Sequence, residues 1–249
     1  MIGLLRSELL KQRTTRTNAA LLAWMVAVIT LAVLLHVFGF GPAALSRHDN
    51  QMKLLGVGTS LGVLFASLLG AISITGEIRH GLIRPTFLAT PNRARVIAAK
   101  AAVSALAGLA LGLLAETLTA GLEAAGLGAR GIDNQLSGGD YAQFVVGGAL
   151  AAGLFAAIGV GVGALVRNQV AALVGLCVWL LFVEPVLLGD VPSAAKFAPG
   201  ASAGAIAGAI QTQIASNLVA PALGLLLLAA YAAAASAAGS IATTRRDVG

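Results

Sequence analysis

The sequence predicts an all-α membrane protein of six transmembrane helices, and three observations carry that prediction. Hydrophobic residues make up 58% of the 249-residue chain and mean hydropathy is +0.90, a load that a soluble domain does not carry. Six apolar stretches reach the roughly 20 residues that a helix needs to cross a bilayer. These runs are continuously apolar and rich in Ala and Leu, without the alternation of a barrel strand. Charged residues are only 10% of the chain, so their positions are informative.

The opening MIGLLRSELLKQRTTR is too polar to span, and residues 1–17 are expected to form an interfacial helix. As a helix it groups Ile2, Leu5 and Leu9, with Arg6 and Arg13 beside them to snorkel at the inner interface. The alternative is a basic tail that only sets topology. The spans follow at 18–40, 54–75, 96–121, 144–166, 170–189 and 218–242. The first is too long for the core of a cleaved signal, about 7–15 residues, and no small-residue cleavage site follows it.

Lys and Arg set the orientation. Twelve of the sixteen fall before span one, between two and three, between four and five, or after six: Arg6, Lys11, Arg13, Arg16, Arg79, Arg84, Arg93, Arg95, Lys100, Arg167, Arg245 and Arg246. The other side holds Arg47, Lys53, Arg130 and Lys196. This places both termini in the cytoplasm of a multi-pass protein of the inner (plasma) membrane, and it agrees with an even number of spans. The outer segments carry most of the acid: Asp49, Glu123, Asp133, Asp140, Glu184 and Asp190. The net charge of +6 reflects this asymmetry and lipid contact, and no nucleic-acid partner is expected.

The loop between spans two and three, 76–95, concentrates charge as GEIRHGLIRPTFLATPNRAR. Leu82, Ile83, Phe87 and Leu88 sit among its basic residues, and apolar side chains rimmed by charge suggest a protein contact. A membrane-lying connector is the competing interpretation. Pro85 and Pro91 limit any helix to one or two turns. Asn92 is placed to cap span three, and Arg93, Arg95 and Lys100 to anchor it at the inner headgroups. A second irregular region, 191–217, holds Pro192, Pro199, the series Gly200, Gly204, Gly208, and Ile206, Ile210 and Ile214 at helical spacing. It suggests short re-entrant helices at the outer face, against an ordinary outer loop. Four-residue small spacings, Gly58/Gly62, Gly108/Gly112 and Gly159/Gly163, permit close helix approach.

Catalytic chemistry finds no motif. There is no phosphate-cradling G-x-x-x-x-G-K-[ST], no H-E-x-x-H and no G-x-S-x-G. His36, His48 and His80 are far apart, so no metal site is expected, and Cys177 has no partner for a disulfide. Glu116 is the one acid read well inside a span, a candidate to line a pathway and bind a cation or polar group. Its alternative is a hydrated or paired carboxylate near the outer end of the span, bonded to Thr117 or a neighbouring span.

The stretch holding Glu77, Arg79, His80, Gly81, Ile83, Arg84, Pro85, Thr86, Leu88, Thr90, Pro91, Arg93, Arg95, Val96 and Lys100 resembles the E-x-R-x-G-x-I-R-x-T-…-P-x-R-x-R-V-…-K segment of the integral membrane subunit of ABC-2 type transporters. The basic N-terminal helix, the six spans and the outer segment before span six are similar in layout. The resemblance implies an exporter-like, non-catalytic permease that pairs with a second copy or a paralogue. It implies a short cytoplasmic coupling helix, roughly 81–88, seated in each of two copies of a separate ATPase subunit that binds ATP and Mg. Arg79, Gly81, Arg84, Phe87 and Leu88 would then form the contact, and the cargo would be a drug, antibiotic or lipid. Two other functions stay open on the residues alone: a membrane scaffold or assembly factor that recruits a soluble partner through the loop, and an ion-coupled transporter using Glu116.

Overall fold

A computed structural model describes residues 2–90, 92–209 and 218–245. Every regular element among them is helical: α1 (Ile2–Thr14), α2 (Arg16–Gly39), α3 (Pro42–Leu45), α4 (His48–Arg79), α5 (Ile83–Ala89), α6 (Arg93–Ala129), α7 (Gly138–Val166), α8 (Gln169–Val178), a π-helical turn (Trp179–Val183), α9 (Glu184–Asp190), α10 (Pro192–Ala195), α11 (Pro199–Ala207) and α12 (Pro221–Arg245). Six helices are long and apolar enough to cross a membrane, with α8, the π turn and α9 together forming the fifth. This is the architecture of a multi-pass membrane protein.

The core is a three-helix unit of α4, α6 and α7, and the small-residue pairs build it. A Cβ on Gly58 or Gly62 of α4 would strike α6 at Glu116, Thr119 or Ala115. One on Gly108 or Gly112 of α6 would strike α7 at Ala152 or Ala149. One on Gly159 of α7 would come within 2.0 Å of the Ser67 carbonyl oxygen of α4, and one on Gly163 would meet Ala71 and Ile74. Each pair therefore serves one seam, and the three seams close a ring. Without a hydrophobic driving force between helices in lipid, such backbone approach and the dispersion contact it allows hold the helices together.

The outer spans pack on this unit by one face each. Leu21, Met25, Ile29, Val33 and Val37, every fourth residue of α2, are buried against α4 and α6. The other faces expose Trp24, Leu34 and Phe38 on α2, Val170, Val174 and Phe182 on the fifth span, and Leu226 and Ile241 on α12. Bands of exposed large hydrophobics on the peripheral helices are what a lipid environment requires.

Two expectations change in extent. The second and third spans, read as 54–75 and 96–121, belong to helices that run His48–Arg79 and Arg93–Ala129. Their polar ends are folded in: Gln51 is fully buried, donating to the Leu45 and Asp133 carbonyls and accepting from the Gln135 N–H. The irregular segment between these spans shrinks to 80–92. In the outer region α10 and α11 are short helices, and α11 ends at Ala207 with Gly208 at φ 76. Ile206 is buried, whereas Ile210 and Ile214 lie outside the described residues.

Candidate functional site

α4 ends in a Schellman turn. The Leu82 N–H donates to the Glu77 carbonyl at 2.8 Å and the Gly81 N–H to the Ile78 carbonyl at 3.2 Å, with Gly81 at φ 70. Gly81 is thus required by backbone geometry, whatever else touches it. The turn delivers α5, which contains Pro85 in its first turn, where a missing N–H costs nothing. Ile83 is buried against Ile78 and Val96, pinning α5 between the end of α4 and the start of α6. Asn92 caps α6, its side-chain oxygen accepting from the Arg95 N–H at 3.1 Å. Leu82 and Leu88 point away from this seat, 57% and 83% exposed. Arg79 reaches Gln169 at the start of α8, donating at 3.4 Å. The side chains of Arg84 and Phe87 lie outside the described part of the structure.

Directly beneath this seat lies a cluster of four charges. Lys100 of α6 is 1% exposed and donates to Glu8 Oε2 at 2.6 Å and to the Ser73 carbonyl at 3.4 Å, and it lies 2.7 Å from Glu77 Oε1. Its hydrogen bonds go to Glu8 and the Ser73 carbonyl, and the Glu77 contact is an ion pair. Lys11 of α1 bridges the same two carboxylates, 2.7 Å from Glu8 and 2.8 Å from Glu77. Glu8 and Glu77 are both buried. Gln12 adds a bond to Ser104 at 3.2 Å, and Asn18 holds Gln12 at 2.6 Å. Two cations and two carboxylates make the cluster neutral. It latches α1 to α4 and α6 immediately below the turn that carries α5. Burial pushes the Glu8 carboxyl upward, but Lys100 and Lys11 outweigh this and hold it below its ordinary value. Burial works against the Lys11 ammonium, yet the bonds to Glu77 and Glu8 hold its pKa above the ordinary value.

This corrects one expectation. Lys100 does not anchor α6 at the headgroups: a helical side chain leans toward the N-terminus, and here that direction leads to two carboxylates, not to lipid. On α1 the stripe Ile2, Leu5, Leu9 is expected to lie at the membrane interface, and it is a polar pair that faces the bundle. Glu8 and Gln12 turn inward, Leu9 and Leu10 are exposed, and the Ile2 side chain lies outside the described part. Glu8 was the missed residue. Its signal was an acid three residues before Lys11 in a segment otherwise basic.

Three acids are also buried: Glu116, read inside the outer part of span three, and Glu123 and Glu184, read among the outer acids. Glu116 lies 13 residues from the end of α6, not a turn from it. It accepts from the Thr59 hydroxyl of α4 at 2.7 Å, while Thr117 bonds its own helix backbone. Gly58 and Gly148 wall it closely, the space a Cβ on Gly148 would need being taken by Glu116 Oε1. Glu123, read as an outer-loop acid, is fully buried one face-repeat further along α6, and both its oxygens lack a hydrogen-bond partner among the described residues. Glu184 is buried as well, accepting from the Trp179 indole at 3.0 Å and the Ala201 N–H at 2.6 Å, so it caps α11 from another helix. The three histidines stay apart, each bonded through Nδ1 to a backbone carbonyl: His36 to Ala32, His48 to Gln135 and His80 to Gly76.

No protein-family model matches the chain, and no curated protein matches it.

Proposed function

We propose that the chain is the membrane-spanning permease subunit of an ATP-driven transporter of the ABC-2 type, with the basic end of the bundle in the cytoplasm. The observation that carries this reading is the placement of α5. A two-turn helix sits on a glycine turn, exposes Leu82 and Leu88, and is flanked by two helix ends that one ionic cluster ties together. Exposed leucines at a charged, lipid-free end of a bundle fit a partner's groove. The partner in this reading is a separate ATPase subunit, two copies per transporter, which supplies ATP and Mg. Arg79, Gly81, Arg84, Phe87 and Leu88 form the contact.

The latch gives the contact a mechanical consequence. A push on α5 bears on the last turn of α4 and the first turns of α6. Because Glu8, Lys11, Glu77 and Lys100 join α1 to both, the three elements move as one lever. Leu9 and Leu10, on the exposed face of α1, rest on the inner interface and set the fulcrum. Two such chains, or one and a paralogue, rock around a shared pathway and export an amphipathic or hydrophobic compound. α10 and α11 dip into the outer membrane face before α12. An ion-coupled function through Glu116 draws on its burial, but the glycine walls around that carboxylate favour a packing role.

The test is gentle detergent extraction of the tagged chain from its host, followed by mass spectrometry. The expected result is a co-purifying soluble subunit of about 30 kDa with a phosphate-binding loop, lost when Arg84 and Phe87 are both replaced by Ala. A clean chain in several mild detergents would instead support the scaffold or ion-coupled readings. A reporter after Gly249 is expected inside and one near Asp133 outside; the reverse overturns the orientation.

A further inference from the structure

The fifth span is broken, and the break opens a cavity. Pro185 lacks the N–H that an α-turn would aim at the Leu181 carbonyl, and its ring crowds that carbonyl. The chain answers with a π-helical turn over Trp179–Val183, immediately before Glu184 and Pro185. Glu184 then fixes the break by holding Trp179 on one side and Ala201 of α11 on the other. The displaced span leaves a cavity of about 650 Å³ against the bundle. α7 contributes Phe155 and Ile158, the broken span Leu176 and Trp179, α12 Tyr231, and the segment after α10 Phe197. This volume lies in the roughly 300–1,000 Å³ range of small-molecule sites.

Three features identify what fits. The walls are almost wholly apolar, and the one hydroxyl among those six side chains, Tyr231, is already donated to the Phe197 carbonyl at 3.2 Å. The cavity opens sideways: Trp179, Leu187 and Tyr231, on the peripheral spans, are each about two-fifths exposed. Its walls follow the fifth span from Gly175 to Val191, about 24 Å of helix rise, which reaches from one interface past the middle of a hydrocarbon core of about 30 Å. Lys196 is not itself a wall but lies between the wall residues Ala195 and Phe197, with its ammonium 5.2 Å from the centre of the Phe197 ring, and among the described residues no carboxylate pairs with it. Asp190, the nearest acid along the chain, closes α9 without bridging to it. An apolar slot at membrane depth under an unneutralised cation complements one long hydrocarbon chain beneath one anionic head.

We propose that this cavity is a lipid site that takes an acyl chain of an anionic bilayer phospholipid, with Lys196 on the phosphate. The proposal needs only the membrane spans and stands apart from the transport reading. It assigns the π turn a role: the turn holds Trp179 as a wall of the slot.

Trp179 is also the reporter, since the chain has only one other tryptophan, Trp24, exposed on α2. The full chain is placed in phosphatidylcholine vesicles as two variants, Trp24→Phe and Trp179→Phe. Phosphatidylglycerol or phosphatidylcholine with dibrominated chains is then titrated in, and quenching is followed. Trp179 is expected to reach half-quenching at an about five-fold lower mole fraction of the anionic lipid than of the zwitterionic one, the preference one interfacial cation confers. Trp24 should show no such preference. Lys196→Ala should abolish the preference, and Ala194→Phe, which fills the slot, should reduce quenching by both lipids. Identical curves for the two tryptophans with both lipids would mean ordinary bilayer contact and overturn the proposal. Trp179 spared by both would overturn it too, because a transported compound or a second copy would then occupy the slot. Lys196 is half-exposed on a short segment, so its variant keeps the test decisive if Ala194→Phe does not fold.

Discussion

The two ends of α6 handle buried charge in opposite ways. At the basic end Lys100 is buried on Glu8 and the Ser73 carbonyl and 2.7 Å from Glu77, inside a cluster of two cations and two carboxylates in which Glu77 Oε2 is the one buried oxygen without a hydrogen bond among the described residues. Toward the other end Glu116 and Glu123 are buried with no cation, Glu116 on one hydroxyl and Glu123 on nothing among the described residues. The first arrangement stabilises only as a set, because removing one member strands the others away from water. The second contributes little to holding the helices, which there rests on glycine-mediated backbone contact. Charge is thus structural at the basic end of α6, and packing is structural in the span.

The contrast can be broken by measurement. The largest effect is expected from Lys100→Ala, which leaves Glu8 and Glu77 facing each other with only the half-exposed Lys11. The loss should be about 3–5 kcal/mol, the cost of breaking a buried pair from one side. It is read as a fall in the thermal unfolding midpoint in detergent. A variant as stable as the parent would show the cluster to be incidental.

Glu123→Met should move the midpoint the other way. It removes two oxygens that find no partner among the described residues, and relief of such a group is worth about 1–3 kcal/mol. Destabilisation by Glu123→Met would mean that the carboxyl holds something, and the two ends of α6 would then be alike.

The smallest effect is pH-dependent detachment of α1, followed by a spin label on its exposed Leu10 face. Glu8 has a pKa held below its ordinary value of 4.5. Its contribution is therefore complete above that value and is lost as pH falls through the lowered pKa. Lys11 has a pKa held above 10.5, so its contribution is complete below that value and is lost as pH rises through the raised pKa. Label mobility should be flat across neutral pH and rise at the acid and alkaline extremes. A transition near neutrality would contradict the paired geometry.

Much of the architecture was legible. Six helices of membrane length follow from continuous apolar runs, because lipid leaves a backbone no other way to satisfy its polar groups. The short helix at α5 follows from two prolines, and the Asn92 cap from its place before an apolar run. The glycine pairs were visible as spacings, but their assignment to three seams was not, since spacing names a face and not its neighbour.

What the tertiary structure alone decided is the fate of the charges. Lys100, Glu77, Glu8 and Lys11 are separated by up to 92 positions, and no local pattern shows that they meet. A basic residue at a span end reads as a headgroup anchor, which is the ordinary outcome where nothing opposes it. Glu123 and Glu184 read as acids at or beyond a span end because hydropathy stops a span where polarity begins. A folded helix continues as long as its neighbours bury it. The sequence by itself determined which segments must leave water. Only packing decided which polar groups go with them, because that choice depends on partners brought from elsewhere in the chain.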